Sequence, residues 1–200
     1  MPTPFGIYIH VPFCATRCGY CDFNTYTPAE LGSGGATPQG WLAALRIELR
    51  LAAARVGAVE VQTIFVGGGT PSMLGSDGLA AVLDAVRDNF TLAADAEVTT
   101  EANPESTSPK FFELLHDAGY TRVSLGMQSV APHVLAVLDR THSPGRALAA
   151  AGEARDAGFA HVNLDLIYGT PGESDDDLLR SLDAAVGAGV DHVSAYSLIV

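Results

Sequence analysis

The sequence predicts an α/β protein built on a parallel sheet, and three observations carry that expectation. A short β-branched run, a loop bearing glycine or proline, and a helical stretch rich in alanine and leucine follow one another about six times along the 200 residues. The β-branched runs are apolar along nearly their whole length, as buried parallel strands are. The polar residues gather at the carboxyl ends of those runs, the face that holds the ligand in barrels and open α/β sheets alike. Repeated in this way, the pattern implies right-handed crossovers on either an open doubly wound sheet or a complete or partial barrel. Sequence order alone does not separate these.

Strands are expected at 5–11, 61–66, 97–102, 122–127, 161–167 and 192–199. Helices are expected at 38–56, 76–89, 108–118, 131–138, 144–157 and 174–188, several opened by Ser, Thr or Pro and closed by Gly. Gly119, Gly158 and Gly189 each follow one of these helices directly. Residues 32–35, within "LGSGGATP", have the composition of a flexible surface loop. The last segment, "HVSAYSLIV", stops inside an apparent strand, so residues 1–200 are expected to be one core domain of a longer protein whose C-terminal domain is missing.

Two hundred residues, 48% of them apolar, suit a single domain with a filled core. No stretch approaches the roughly 20 apolar residues that a spanning helix requires, and the N-terminus lacks the basic region and cleavage pattern of a leader. A cytoplasmic protein with no obligatory membrane segment is expected. The net charge of -12, spread along the chain, disfavours a nucleic-acid partner. Three cysteines are an odd number, too few for a disulfide framework, and their clustering points to metal or redox chemistry.

All three fall in "CATRCGYCDFN", as Cys14, Cys18 and Cys21. A structural zinc site closes with four ligands, and the nearest candidate for the fourth, His10, lies in the preceding strand and would have to turn back. A redox pair would need only two thiols. An iron-sulfur cluster fits better, because thiolates are its usual ligands and a four-iron cluster on three protein thiolates keeps one iron open to a second molecule.

Other polar residues mark the same rim. "GGGTP" at 67–71 joins a strand to a helix, where glycines let backbone approach a ligand and helix-start amides favour a negative group, although a tight turn would explain the run equally well. Glu101 ends a strand and either meets solvent or pairs with a cation. Asp165 lies inside an apolar strand, where an acid is costly unless paired or functional, and an ion pair with Arg140 is one way to satisfy it. Gln128 ends another strand. Tyr8 and Tyr20 flank the cysteine loop and either cover apolar surface or touch a ligand. His10, Met127 and His161 are assigned to packing only.

These residues carry a resemblance. "CATRCGYC" resembles the three-cysteine loop of the radical S-adenosylmethionine (SAM) superfamily. "IYIHVPFCATRCGYCDFNTY", "FVGGGTPS", "EANPES", "SLGMQS" and "LDLIYGTPGE" are similar to the group holding the oxygen-independent coproporphyrinogen III dehydrogenases and the related HemW haem chaperones. The resemblance runs from about Gly6 to the last residue. It implies a parallel (β/α)6 partial TIM-type barrel of the radical SAM kind. It also implies a [4Fe-4S] cluster on Cys14, Cys18 and Cys21, with the open iron chelated by SAM. Gly68, Gly69, Thr70, Glu101, Gln128, Arg140 and Asp165 would line the cofactor or substrate site, with Tyr8 and Tyr20 as further SAM contacts. A forked guanidinium at Arg140 suits a carboxylate of the cofactor or of a porphyrin.

The resemblance leaves two functions from different classes. One is a haem chaperone that binds haem as cargo and passes it to acceptor proteins, drawing on an electron donor. The other is an oxidative decarboxylase of coproporphyrinogen III, in which a deoxyadenosyl radical abstracts hydrogen from a propionate. The dehydrogenases carry a further cysteine two positions after the third, whereas Phe23 stands there in this chain. That departure favours the chaperone. A zinc-binding module is the third reading, should the thiols not hold iron.

Overall fold

A computed structural model describes residues 4–32, 37–140 and 143–199. The glycine-rich loop expected at 32–35 lies, beyond Gly32, outside the described residues. Six strands form one sheet in which each lies parallel to its sequence neighbour: β1 (Gly6–Val11), β2 (Glu60–Gly68), β3 (Thr91–Ala102), β4 (Arg122–Gln128), β5 (His161–Tyr168) and β6 (His192–Ser197). A doubly wound sheet reverses its strand order at a switch point. Here every crossover steps one strand in the same direction, so the twisted sheet curls into a partial barrel. Among the described residues β1 and β6 do not pair, and the barrel stays open between them.

Seven helices complete the described chain: α1 (Pro28–Leu31), α2 (Pro38–Val56), α3 (Gly75–Arg87), α4 (Pro109–Ala118), α5 (Pro132–Val137), α6 (Arg146–Asp156) and α7 (Asp175–Gly187). Their ends follow local chemistry. Thr37 and Ser108 accept from the amides of Gly40 and Phe111, and Ser174 and Asp177 form a reciprocal capping box at the start of α7. Gly119 closes α4 at φ 106°, a left-handed turn that a side chain would resist. No described helix is long and apolar enough to cross a membrane.

Three boundary differences bear on the sheet and the site. β3 starts at Thr91, six residues early, because Thr91 and Leu92 pair with Glu60 and Val61 across a register irregularity that breaks the alternation. Gly67 and Gly68 belong to β2, and a 3-10 turn at Pro71–Leu74 separates the strand from α3. β6 ends at Ser197, so Leu198 and Ile199 lie past it.

The strands are also not apolar on both faces. Ile9, Val11, Ile64, Val66, Val98, Val123, Leu125, Val162 and Leu164 turn outward into one core with Leu79, Leu83, Phe112, Leu115 and Ala150 of the helices. The alternate positions face the lumen and carry Tyr8, His10, Glu101, Ser124, Asn163 and Asp165. The outward layer holds the barrel together and leaves the inner layer for chemistry. Phe112 is fully buried and meets Phe111 and Phe159 edge-on, with centroids 5.5 and 6.0 Å away. Phe112→Ala should lower stability by about 3–5 kcal/mol. The check is urea unfolding, with the midpoint falling and the slope unchanged.

Candidate functional site

The cysteine loop follows β1 and is fastened at two places. On the β2 side, the amides of Gly69 and Thr70 donate to the carbonyls of Val11 and Phe13 at 2.8 and 2.7 Å, and the Thr70 hydroxyl lies 3.7 Å from Cys14 Sγ. A Cβ at Gly69 would stand 2.6 Å from the Phe13 carbonyl oxygen and 2.9 Å from Cys14 Sγ. Only glycine lets the two loops lie this close. The return of the loop is tied back by the Cys14 amide on Tyr26 O and the Tyr26 amide on Pro12 O, at 3.1 and 2.7 Å.

On the α5 side, the Gly19 amide donates to Leu138 O at 3.3 Å, and Tyr20 packs onto the small apolar cluster of Ala131, Val134, Leu138 and Ile167. Burial raises the Tyr20 hydroxyl pKa, and the Arg140 charge partly offsets this. Arg140 Nη1 reaches Cys18 Sγ at 3.4 Å, while Nη2 donates to Gly126 O at 3.2 Å. A Cβ at Gly126 would lie 2.6 Å from Nη2 and 2.9 Å from the Gln128 amide nitrogen, so glycine makes room for both side chains. Gln128 itself is buried with φ 64°, at a register shift that turns the end of β4. Arg140 Nε is buried and has no hydrogen-bond partner. A fixed cation thus sits against one thiol with a donor to spare.

Cys14 is buried, Cys18 and Cys21 are half-buried, and all three are free thiols. Burial pushes the Cys21 thiol up, so a metal there must displace its proton. Among the described residues no three His, Cys, Asp or Glu side chains converge on a single ion. His10 is occupied elsewhere. Its Nε2 lies 2.8 Å from Asn24 O, which can only accept, so Nε2 carries the proton and Nδ1 accepts from Tyr8 Oη at 3.0 Å. The packing role assigned to His10 understates it: the ring is a strut from the lumen to the far end of the cysteine loop. Its lumen-facing position two residues after Tyr8 is the only sequence signal for this.

Glu101 and Asp165 face the same lumen from β3 and β5. Glu101 accepts from the Gly68 amide at 2.9 Å. Burial pushes its carboxyl up to about 7, with the Gly68 amide opposing and the nearby Asp165 adding to the rise. Tyr8, stacked on Phe65 at 6.1 Å, is likewise raised by burial and by the Glu101 charge. Asp165 accepts from Ser124 Oγ at 3.1 Å and from Asn163 Nδ2 at 2.7 Å. Burial raises its pKa, and those bonds, with the charge of Arg122, hold the rise down. The ion pair considered between Asp165 and Arg140 does not form: Arg140 goes to Cys18 instead.

Of the two readings of "GGGTP", the tight turn describes the backbone, and three of its amides are engaged within the protein. Gly68, Gly69 and Thr70 donate to Glu101, Val11 and Phe13, and the loop enters a 3-10 turn before α3. Its role in the structure is to join Glu101 and Cys14 to one backbone turn. The site residues therefore form three adjoining groups: Cys14 with Gly69 and Thr70, Cys18 with Tyr20, Arg140 and Gln128, and Tyr8 with Glu101 and Asp165.

A partial parallel barrel with three thiols at its carboxyl rim defines a class. The sequence profile of the Radical SAM superfamily matches residues 8–185, and the chain belongs to that superfamily. Within it, the chain falls in the group of HemN and HemW, close to HemW. It is 73% identical over 197 residues to the heme chaperone HemW of Mycobacterium tuberculosis (strain ATCC 25618 / H37Rv), covering 98% of this chain and 50% of that protein. It is 38% identical over 197 residues to HemW of Escherichia coli (strain K12), covering 98% and 51%. The solved coproporphyrinogen III oxidase HemN of Escherichia coli, a radical SAM enzyme, superposes with a TM-score of 0.88 at 27% identity, covering 98% of this chain and 44% of HemN. The chain spans about half the length of the curated relatives it matches.

Glu101 makes stability depend on pH. Its carboxyl titrates near 4.5 when unfolded and near 7 in the cofactor-free fold, so between those values the folded state holds the extra proton. Stability therefore falls as pH rises through that window, by about 2–3 kcal/mol from this group. Glu101→Gln should remove this part of the fall, so that the variant is the more stable form at pH 8 and the two differ least near pH 4.5. Denaturant midpoints at several pH values, compared between the two proteins, check it.

Proposed function

We propose that this chain is the cluster-bearing core domain of a haem chaperone of the HemW kind, the first part of a longer protein. The observation that carries the reading is the 73% identity with the Mycobacterium tuberculosis HemW across 98% of the chain. Phe23, where the related dehydrogenases are expected to have a further cysteine, supports it. In this reading Cys14, Cys18 and Cys21 hold a [4Fe-4S] cluster, haem is the cargo, and acceptor proteins and an electron donor are the partners, all in the cytoplasm.

The donor set fits that cofactor. Three soft thiols on one loop suit an iron-sulfur cluster, and both ring nitrogens of His10 are already bonded. Arg140 would neutralise part of the charge gathered at Cys18, and its unpaired Nε would take a carboxylate oxygen of SAM. Glu101 and Asp165 would accept from the hydroxyls and amine of the same molecule, with Gln128 closing the rim beside them. Tyr8 and Tyr20 would bound the site, and Gly68, Gly69 and Thr70 would fix the turn on which Glu101 and Cys14 converge. When bound, the reduced cluster supplies one electron to the sulfonium of SAM. The protein's part is to hold the thiols apart, fix the ligand and exclude water.

The close superposition on HemN favours one other reading, oxidative decarboxylation of coproporphyrinogen III. Anaerobic reconstitution decides the cofactor: the chain should take up about four irons and four sulfides, and Cys18→Ser should lose most of both, since a hydroxyl is a poor iron ligand. A colourless chain with one zinc would overturn the cluster reading. Haem should then bind at micromolar protein, and coproporphyrinogen III with SAM should give no decarboxylated product. Turnover in that assay would overturn the chaperone reading.

A further inference from the structure

The lumen holds a second cationic centre that none of the site residues above accounts for. The alternation that turns Ser124 toward Asp165 also turns Arg122 inward, two residues nearer the amino end of β4, about 7 Å below. Strand pairing brings His161 beside Arg122, and His192 beside Asn163. Arg122 Nη2 lies 3.0 Å from His192 Nδ1. A guanidinium only donates, so Nδ1 accepts and the His192 proton rests on Nε2, which orients the guanidinium without neutralising it.

The nearby carboxylates are otherwise engaged. Asp191 binds His161 and accepts from the Val162 amide at 2.8 Å, tying the start of β5 to that of β6. Asp165 accepts from Ser124 and Asn163 and feels the Arg122 charge without pairing with it. Among the described residues no ion pair engages Arg122. In a chain with 23 acidic and 11 basic side chains, a lumen arginine without a carboxylate stands out, because acids outnumber its competitors about two to one. Tyr8 and Tyr196 stand on the two strands that border the opening of the barrel, 59% and 60% exposed, and give it aromatic walls.

The geometry points to Arg122, oriented by His192, as a subsite for a carboxylate side chain of a tetrapyrrole, with Tyr8 and Tyr196 flanking the ring at the opening. This rests on the reading that the cargo is haem. The forked guanidinium matches a carboxylate with two parallel donors. The net charge of -12 repels an anionic ligand, so a local cation is what admits one.

The test uses an iron-free porphyrin bearing two propionates and its dimethyl ester, each titrated by fluorescence against the reconstituted chain. The unaltered chain should bind the free acid on the order of tenfold more tightly than the ester. Arg122→Met should bring that ratio to near one, and Arg122→Lys should retain part of it. Iron and sulfide content should not change in either variant, since Arg122 does not touch the cysteine loop. If Arg122→Met shows no cooperative unfolding, the acid-to-ester ratios of the unaltered chain and of Arg122→Lys decide alone. Binding with no preference for the acid, or a preference unchanged by the substitutions, overturns the subsite and leaves the chaperone reading standing. Failure of the unaltered chain to bind either porphyrin, or haem itself, overturns both.

Discussion

The carbonyls of Val11 and Phe13 accept from the amides of Gly69 and Thr70, and through these two bonds the loop after the first strand is joined to the end of the second. The other fastening, Gly19 to Leu138 with Arg140 at Cys18, comes from beyond β4. The loop therefore spans the carboxyl mouth of the barrel, and the spacing of its thiols depends on how far the sheet has curled. That curl follows from strands laid down in sequence order without reversal. Local steric room completes the arrangement: a single methyl group at Gly69 would collide with both the Phe13 carbonyl and Cys14 Sγ.

The lumen pairs this rigidity with unspent charge. Two carboxylates, Glu101 and Asp165, are sheltered there at a cost that protonation or a ligand would relieve. Two arginines, Arg140 at the rim and Arg122 below, face the same space without a carboxylate of their own among the described residues. An interior selected only for stability would join these opposite charges. Keeping them apart suits a site built to receive a ligand with both donors and anionic groups.

Much of this was legible in the sequence because it rests on local signals. β-branched runs and capping residues marked the strands and helices, and the cysteine spacing marked the rim. What escaped depends on tertiary register. The start of β3 was hidden because "AADAE" neither alternates cleanly nor carries β-branched residues. The four-residue α1 was missed although Thr27 and Glu30 form its capping box, since one turn leaves no periodicity to detect. The partners of Asp165 and Arg140 could not be assigned by proximity in sequence: Ser124 and Cys18 lie 41 and 122 residues away from them respectively. His10 and Arg122 looked like ordinary strand residues until pairing turned them inward.

In the proposed function, three thiols hold a cluster with one iron open to SAM. Electron paramagnetic resonance of the reduced, reconstituted chain, recorded before and after SAM is added, tests it most directly. SAM should shift the spectrum as it takes the open iron. A spectrum unchanged at saturating SAM would mean that the fourth position is already filled, and would contradict it.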